Sequence, residues 1–359
     1  MNFWQELPRP LMCVAPMADV TDAPFRRMIA KYSAHTRADG TVGGPDVMWT
    51  EFVAADGLMR ATPEGKVKLM ADLIYVEEER PIIAQLFSSN PEYMEAGARL
   101  AADLGFDGVD LNMGCPSATI EKQGCGAAMI KNPDHARAVI RAAKRGAGDI
   151  PVSVKTRLGY HRDEVDTWVP AILAEQPAVL TIHARTRKEM SKVPAKWDRV
   201  ARVVELRDQL GSDTLIIGNG DATSLADGHA KAAASGADGV MFGRALFGNP
   251  WFFHPTKRLP YNLKALPTSG VDRGELIEAA AAEEGIEFVS LEERLLVLVE
   301  HTKLFAELLH FKNFAIMKKH YKGYINGFPG AAALRSELMV QNTPEEIEQV
   351  VHNFLATQL

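Results

Sequence analysis

One cysteine, in the run NMGCPS from Asn112 to Ser117, has the setting of a reacting group. It follows an apolar strand-like segment, GFDGVDLNM, and sits in a loop framed by Gly114 and Pro116. A thiol held there is exposed and fixed in direction, which suits a proton donor or a nucleophile better than a packing residue. The other two cysteines read differently. Cys13 lies inside an apolar run and reads as a small core residue. Cys125, in QGCGAAM, reads as a small residue in a tight turn, with redox pairing to Cys115 the lesser alternative. No Cys/His spacing suggests a metal site.

The elements that must position Cys115 follow from the apolar pattern. Eight short segments recur up to about residue 243: LMCVAPM, DVMWTEF, PIIAQLF, GFDGVDLNM, IPVSVKT, AVLTIHA, TLIIGNG and ADGVMFG. Most are continuous apolar runs, as expected for strands buried on both faces of a parallel sheet. Helical patterning separates most of them. Pro91 to Leu104 opens on a proline and stops at Gly105, and Pro133 to Arg145 repeats that arrangement before Gly146. Asp198 to Leu210 and Ala222 to Ser235 also read as helices. Eight strand–helix units over roughly 250 residues predict an α/β fold, a (β/α)8 TIM barrel. An open doubly wound sheet is the alternative, but no GxGxxG follows the first strand. Residues 34–46 read as an inserted surface loop, and 256–290 as an irregular connecting segment ending in an acidic helix-like stretch. Leu291 to Leu309, Lys312 to Tyr324 and Thr343 to Leu359 predict amphipathic helices. The expected organisation is a barrel over 1–255, the connection 256–290, and a C-terminal helical domain over 291–359.

In such barrels the chemistry is done at the C-terminal ends of the strands. Those ends carry Pro16 and Met17, Glu51, Gln85, Asn112 with Cys115, Lys155 with Arg157, His183 with Arg185, Asn219-Gly220-Asp221, and Gly243-Arg244. A single buried His is usually a satisfied core residue, but polar groups at so many apolar strand ends are hard to explain as packing. Glycines after strands seven and eight let backbone N–H groups approach a phosphate, and Arg244 adds charge-assisted bonds. Lys155 and Gln85 lie opposite, facing the polar edge of a planar group. The set suits flavin mononucleotide (FMN), with a plain sugar-phosphate as the alternative.

Composition sets the outer bounds. The chain has 359 residues, is 47% hydrophobic and carries a net charge of −6. That excess of acid does not advertise a nucleic-acid binder. Between residues 300 and 340, however, Lys303, Lys312, Lys318, Lys319, Lys322 and Arg335 outnumber Glu300, Glu307 and Glu337. An odd and low number of cysteines argues for reduced thiols and a cytoplasmic protein. No apolar run is long enough to cross a bilayer, and MNFWQELPRP lacks the pattern of a signal peptide.

The motifs VAPMADVTDAPFRRM, DGVDLNMGCPSATIEKQGCGAAMIKNP, VKTRLG, IHARTR, IIGNGD, GVMFGRALFGNPWFF and KKHYKGYINGFPGAAALRSEL resemble the dihydrouridine synthase family along nearly the whole chain. The combination of NMGCP, HARTR and GNGD is specific to it. The resemblance implies an FMN-binding barrel that reduces uridine in RNA, most often tRNA, with NADPH as electron donor and a helical RNA-binding domain. It implies Cys115 as the acid that protonates C5 while hydride reaches C6, so a protonated thiol without a strongly depressed pKa is expected. Pro16, Met17, Gln85, Lys155, His183, Asn219, Gly220, Asp221, Gly243 and Arg244 are then expected to hold the cofactor. Asn112 is expected to contact the extruded base or the flavin edge, and Arg185 to face the RNA. Lys318, Lys319 and Lys322, with the adjacent His320, become RNA-facing, and a monomer without metal or membrane is expected. The segment HARTRKEMSKVPAKW departs from the family's pattern at Glu189, Ser191 and Val193, where Gln, Tyr and Gly are usual. That loop borders the substrate, so the departure bears on which nucleotide is chosen. Two other readings come from different classes: a flavin oxidoreductase of small pyrimidines, similar to dihydroorotate dehydrogenases, and a non-catalytic RNA-binding protein.

Overall fold

The computed structural model of the chain describes residues 2–259 and 285–357. All eight apolar segments are strands: β1 (Leu11–Val14), β2 (Met48–Ala54), β3 (Ile82–Phe87), β4 (Gly108–Met113), β5 (Val152–Arg157), β6 (Val179–His183), β7 (Leu215–Asn219) and β8 (Gly239–Phe242). They form one parallel sheet in the order β1-β8-β7-β6-β5-β4-β3-β2. Its two edges meet through a bridge between Cys13 and Val47, with the Val14 N–H donating to the Val47 carbonyl at 3.0 Å. The Asp46 carboxylate adds a bond from the Met12 N–H at 2.7 Å. The sheet therefore closes as a (β/α)8 barrel. Nearly every strand residue is buried, which is why the strands read as unbroken apolar runs.

The helices obey their sequence signals. After α1 (Ala23–Ser33), α2 (Ala55–Arg60) and α3 (Pro63–Ala71), α4 (Pro91–Asp103) opens with Asn90 accepting the N–H groups of Glu92 and Tyr93. A short α5 (Ala118–Glu121) follows the cysteine loop, and α6 (Pro133–Ala147) is capped by Asn132. Gly146 does not end α6, because the helix runs one residue further and Gly148, at φ 60°, follows it. Gly146 is where α6 lies against α4. A β-carbon there would sit 2.0 Å from the Glu95 carbonyl oxygen, so only glycine fits. The ring continues with α7 (Val165–Leu173), α8 (Trp197–Gln209) and α9 (Leu225–Ser235).

Inside the barrel, at the end where the strands begin, the filling is apolar. Trp4, from a short 3-10 turn, packs on Trp49 at 5.8 Å, together with Leu11, Ile83, Val179 and Leu215.

The chain forms two compact units that are not consecutive in sequence. One comprises residues 1–23 and 45–244, the other 24–44 and 245–359. Residues 24–44 thus cluster with the C-terminal helices, although they precede β2. Within that stretch, His35–Thr36 pairs antiparallel with Val42–Gly43, so the expected loop is a short hairpin. The second unit contains α10 (Leu291–Leu308), α11 (Lys318–Tyr324), α12 (Ala331–Val340) and α13 (Pro344–Ala356). Helix α12 is not anticipated by the sequence reading. Within this unit Glu300 of α10 accepts from Lys31 at 2.6 Å and from the Tyr32 hydroxyl at 2.5 Å. Most of the 256–290 connection, including its acidic stretch, lies outside the described residues, as do the last two positions of the Thr343 to Leu359 helix; Lys257–Arg258 and Glu287–Phe288 pair as a short parallel ladder.

Candidate active site

Cys115 is half-buried in the loop that leaves β4, and of the three cysteines it is the only one not buried. The loop is pinned from two sides. The Asn112 Oδ1 accepts the N–H groups of Gly114 at 3.1 Å and Cys115 at 2.9 Å, and the Cys115 carbonyl accepts the Ala127 N–H at 2.9 Å. Arg157, at the end of β5, donates its Nε to the Gly114 carbonyl at 2.7 Å and its Nη1 to the Met190 carbonyl at 3.0 Å. Burial pushes the Cys115 thiol up, and the Ser117 N–H and the Arg157 charge only partly oppose it. A shift in that direction keeps the thiol protonated at neutral pH.

Behind this loop runs a row of buried polar side chains fixed by strand register, which pairs Gln85 with Asp110 and Asp110 with Ser153. Asp110 accepts from Ser153 Oγ and from Gln85 Nε2, each at 2.6 Å, and the Gln85 Oε1 accepts from Asn112 Nδ2 at 3.0 Å. Burial pushes Asp110 up to about 6, opposed by those bonds and by Lys155. Gln85, expected to hold the cofactor, is 0% exposed and its amide is committed to Asp110 and Asn112.

The other side of the mouth is charged. Lys155 bonds Asn219 Oδ1 at 3.1 Å, and Asn219 in turn donates to the Met241 carbonyl at 2.8 Å. Burial, and then the nearby Arg157, lower Lys155 to about 8. His183 is lowered to about 2 by burial and by Arg157, Lys155, Arg185 and Arg244, so its ring is neutral. Its Nε2 lies 3.3 Å from Arg185 Nη1 and must accept, which leaves Nδ1 as the protonated nitrogen. Arg185 was expected to face RNA, yet it is 2% exposed. Its guanidinium is spent on His183, the Val193 carbonyl and the Asp221 carboxylate. Asp221 also accepts from the Ala195 N–H at 2.8 Å and from the exposed Arg244 at 2.6 Å. An ionised carboxylate has no donor for a phosphate, so the Asp221 side chain orients the two arginines. Gly220 is buried, while Gly243 is partly exposed beside Met17. Pro16 and Met17 are partly exposed in a loop closed by the Met17 N–H on Thr21 Oγ1 at 2.8 Å and tied to β2 where the Asp19 N–H bonds Glu51.

The divergent loop after β6 is knitted into the same framework. Glu189 accepts the Thr186 N–H at 2.8 Å and pairs with Lys196, while Met190 and Val193 supply the carbonyls that hold Arg157 and Arg185.

The helical residues expected to face RNA divide. Lys319 and Lys322 are exposed. Lys318 is turned onto the end of α12, donating to the Met339 carbonyl at 2.8 Å and Asn342 Oδ1 at 3.2 Å. His320 is 0% exposed and lowered to about 3, chiefly by burial, so it is neutral core and not a basic contact. Sequence reasoning left Asp110, Ser153 and the anchoring role of Arg157 unassigned. Asp110 and Asn112 alternate along one strand and so share a face, but their partners depend on a register that no single segment reveals.

Among the described residues no group of His, Cys, Asp and Glu is arranged to hold a metal ion, and no helix is long and apolar enough to cross a membrane.

A closed parallel barrel with a protonated thiol, a neutral imidazole and clustered cations at the C-terminal ends of its strands has the make-up of a barrel enzyme. Residues 13–358 match the family model described as dihydrouridine synthase (Dus). A probable tRNA-dihydrouridine synthase of Staphylococcus aureus (strain COL) is 36% identical over 358 residues, 99% of this chain and 96% of that protein. The probable tRNA-dihydrouridine synthase 2 of Bacillus subtilis (strain 168) is 35% identical over 356 residues, 98% of this chain and 96% of that protein. The chain belongs to the dihydrouridine synthase family. Among solved structures, morphinone reductase in complex with tetrahydroNAD aligns over 80% of this chain and 96% of that chain at 13% identity, with a TM-score of 0.46, too slight a likeness to add to the argument.

Proposed function

We propose that this chain reduces uridine to 5,6-dihydrouridine in RNA, tRNA being the substrate named for its relatives, with FMN as resident cofactor and NADPH as reductant. The observation that carries the reading is Cys115: a half-buried, protonated thiol in a loop pinned by Asn112 and Arg157 at the barrel mouth.

The residues present fit a phosphate-bearing planar cofactor. Lys155, Arg157, Arg185 and Arg244 converge on a mouth whose carboxylate, Asp221, is already compensated by two of them. The neutral His183 adds a ring N–H, Asn219 is held by Lys155, and the partly exposed Pro16, Met17 and Gly243 leave backbone accessible. Lys155, His183, Asn219 and Arg244 would hold the group. Reduced FMN would supply the hydride that adds to C6 of uracil. As negative charge develops toward the C4 oxygen, cations around the mouth stabilise it. The Cys115 Sγ then gives its proton to C5, and the raised pKa keeps that proton available at neutral pH.

A base must leave its stack to reach this depth. The helical unit, with exposed Lys319 and Lys322, is proposed to grip the surrounding backbone. The boundaries 1–255 for the cofactor-binding part and 291–359 for the RNA-binding part, a cytoplasmic location and a monomeric state belong to the same proposal.

The deciding experiment is nucleoside mass spectrometry of dihydrouridine in tRNA and rRNA from a deletion strain, with rescue by wild type and by Cys115→Ala. A site that disappears and returns only with wild type is the expected result. In vitro, Cys115→Ala should keep bound FMN and its reduction by NADPH while losing about 10²-fold or more in RNA turnover. An unchanged RNA pool would overturn the RNA assignment and send the search to free pyrimidines.

A further inference from the structure

The loop after β6 holds a strained residue whose hydrogen bonds do not call for its side chain. Among the described residues four that are not glycine have positive φ: Asp19, Gln176, Met190 and Asp221. Aspartate is enriched in that region, and Gln176 follows the C-terminus of α7, where left-handed residues are common. Met190, at φ 56°, is the one with an apolar side chain. Its bonds are made by its backbone alone. The N–H donates to the Arg187 carbonyl at 3.2 Å, and the carbonyl accepts from Arg157 Nη1 at 3.0 Å. Glycine or asparagine would make both bonds at less conformational cost.

The surroundings give that side chain a purpose. Arg157 also donates to the Gly114 carbonyl at 2.7 Å, so one guanidinium holds Met190 beside the loop that carries Cys115. The loop after β6 is braced further by Thr186 and Glu189, whose side chains each accept the other's N–H. The N–H groups of Arg187 and Lys188 donate to the carbonyls of Gly159 and Tyr160. On this braced lip the exposed residues are Lys188, Met190, Ser191, Lys192 and Pro194. Met190 is the large apolar one, 38% exposed.

We infer that Met190 is a specificity-determining residue of the mouth: its thioether side chain is the apolar surface on which the extruded nucleotide packs. The inference rests on the reading of Cys115 as the acid that meets uracil C5. A base at that thiol neighbours the loop that Arg157 ties to Met190. An unbranched, polarizable methionine suits the face of such a ring. The left-handed backbone persists because it carries this side chain at the lip.

The Arg157 bond falls on a carbonyl, which any residue at position 190 keeps, so substitution reads the side chain. Met190→Gly removes the side chain and relieves the strain. Met190→Asn removes the apolar surface but keeps a residue suited to left-handed φ, and Met190→Leu keeps apolar bulk. Each full-length, FMN-loaded variant is assayed for dihydrouridine formation on total tRNA from the deletion strain. NADPH-driven flavin reduction without RNA and the melting temperature are measured beside it. Met190→Gly and Met190→Asn should lower kcat/KM for that tRNA by about tenfold, the scale of a lost apolar contact in a pocket. Their flavin reduction should stay within about twofold. Relief of strain offsets the lost packing, so the melting temperature should fall by no more than about 3 °C. Met190→Leu should keep kcat/KM within about threefold of wild type.

Undiminished kcat/KM in Met190→Gly and Met190→Asn would overturn the inference. A loss confined to Met190→Gly would overturn it too, because that pattern reads loop flexibility and not the side chain. So would a matching loss of flavin reduction, which would make Met190 part of the framework of the mouth. A wild type that forms no dihydrouridine on this tRNA is a different failure: the reading of the reaction falls first, and the inference with it.

Discussion

The barrel mouth and the core of the helical unit each hold histidines whose pKa is driven far down, for different reasons. His183 remains partly exposed, and burial together with four cations keeps it neutral. His301 of α10 and His320 of α11 are 0% exposed, with ring centroids 4.7 Å apart and Phe25 and Phe247 against the His320 ring. Burial is the leading cause there. His183, at a strand end, retains a surface, whereas His301 and His320, on inward helix faces, have none, and their chemistry is spent on the fold.

The largest expected effect is a loss of stability at acid pH, to which His183 of the mouth contributes in the same direction as the helical pair. The folded-state value of His320, about 3, lies below its unfolded value, so between them the unfolded chain binds more protons. Stability is intact above about pH 6.5 and falls as pH drops, by about 1.4 kcal/mol per pH unit for each such histidine. His301 shifts in the same direction and steepens the loss. Urea unfolding at pH 7, 6 and 5 should show this slope, and His320→Phe should flatten it. An unchanged slope would mean that the pair does not control the acid response of the helical unit.

The next test lies in the mouth. Asp221→Asn removes the negative partner of buried Arg185 and of exposed Arg244. Because Asp221 is about one-third exposed, solvent screens part of the loss, and a cost of about 1–2 kcal/mol is expected. Thermal unfolding without added cofactor would measure it, and retention of FMN through gel filtration would show whether the arginines still hold their places. Undiminished stability together with normal FMN retention would remove Asp221 from the framework of the mouth.

The contrast also explains what the sequence could reveal. Parallel strands buried on both faces produce unbroken apolar runs, so PIIAQLF and TLIIGNG announce β3 and β7, and the polar residues ending them announce the mouth. Gln85 reads as a cofactor contact because it stands near such an end. Its commitment to Asp110 depends on lateral register, which is a property of two strands together. The basic run KKHYKGY reads as a binding surface by composition. Its spacing carries a second message, since Met317, His320, Tyr321 and Tyr324 stand at i, i+3, i+4 and i+7, one helical face, and all four are buried. Helical phase, weighed above charge count, would have placed His320 inside. In the divergent loop, Val193 contributes a backbone carbonyl to Arg185, a role to which side-chain identity is blind.

The smallest effect bears on the lysines that composition grouped together. Lys318 donates to the carbonyl end of α12, where a cation also meets the negative end of the helix dipole. Lys318→Met should therefore cost about 0.5–1 kcal/mol in urea unfolding and leave RNA binding nearly unchanged. Lys322 is exposed, so Lys322→Met should leave stability within about 0.5 kcal/mol. If Lys322 meets phosphate, the same change lowers the slope of log K against log salt for tRNA binding by about one. The opposite pattern, a shallower salt slope for Lys318→Met and lost stability for Lys322→Met, would exchange their roles. It would mean that the capped lysine leaves the Met339 carbonyl and the Asn342 amide oxygen to meet RNA.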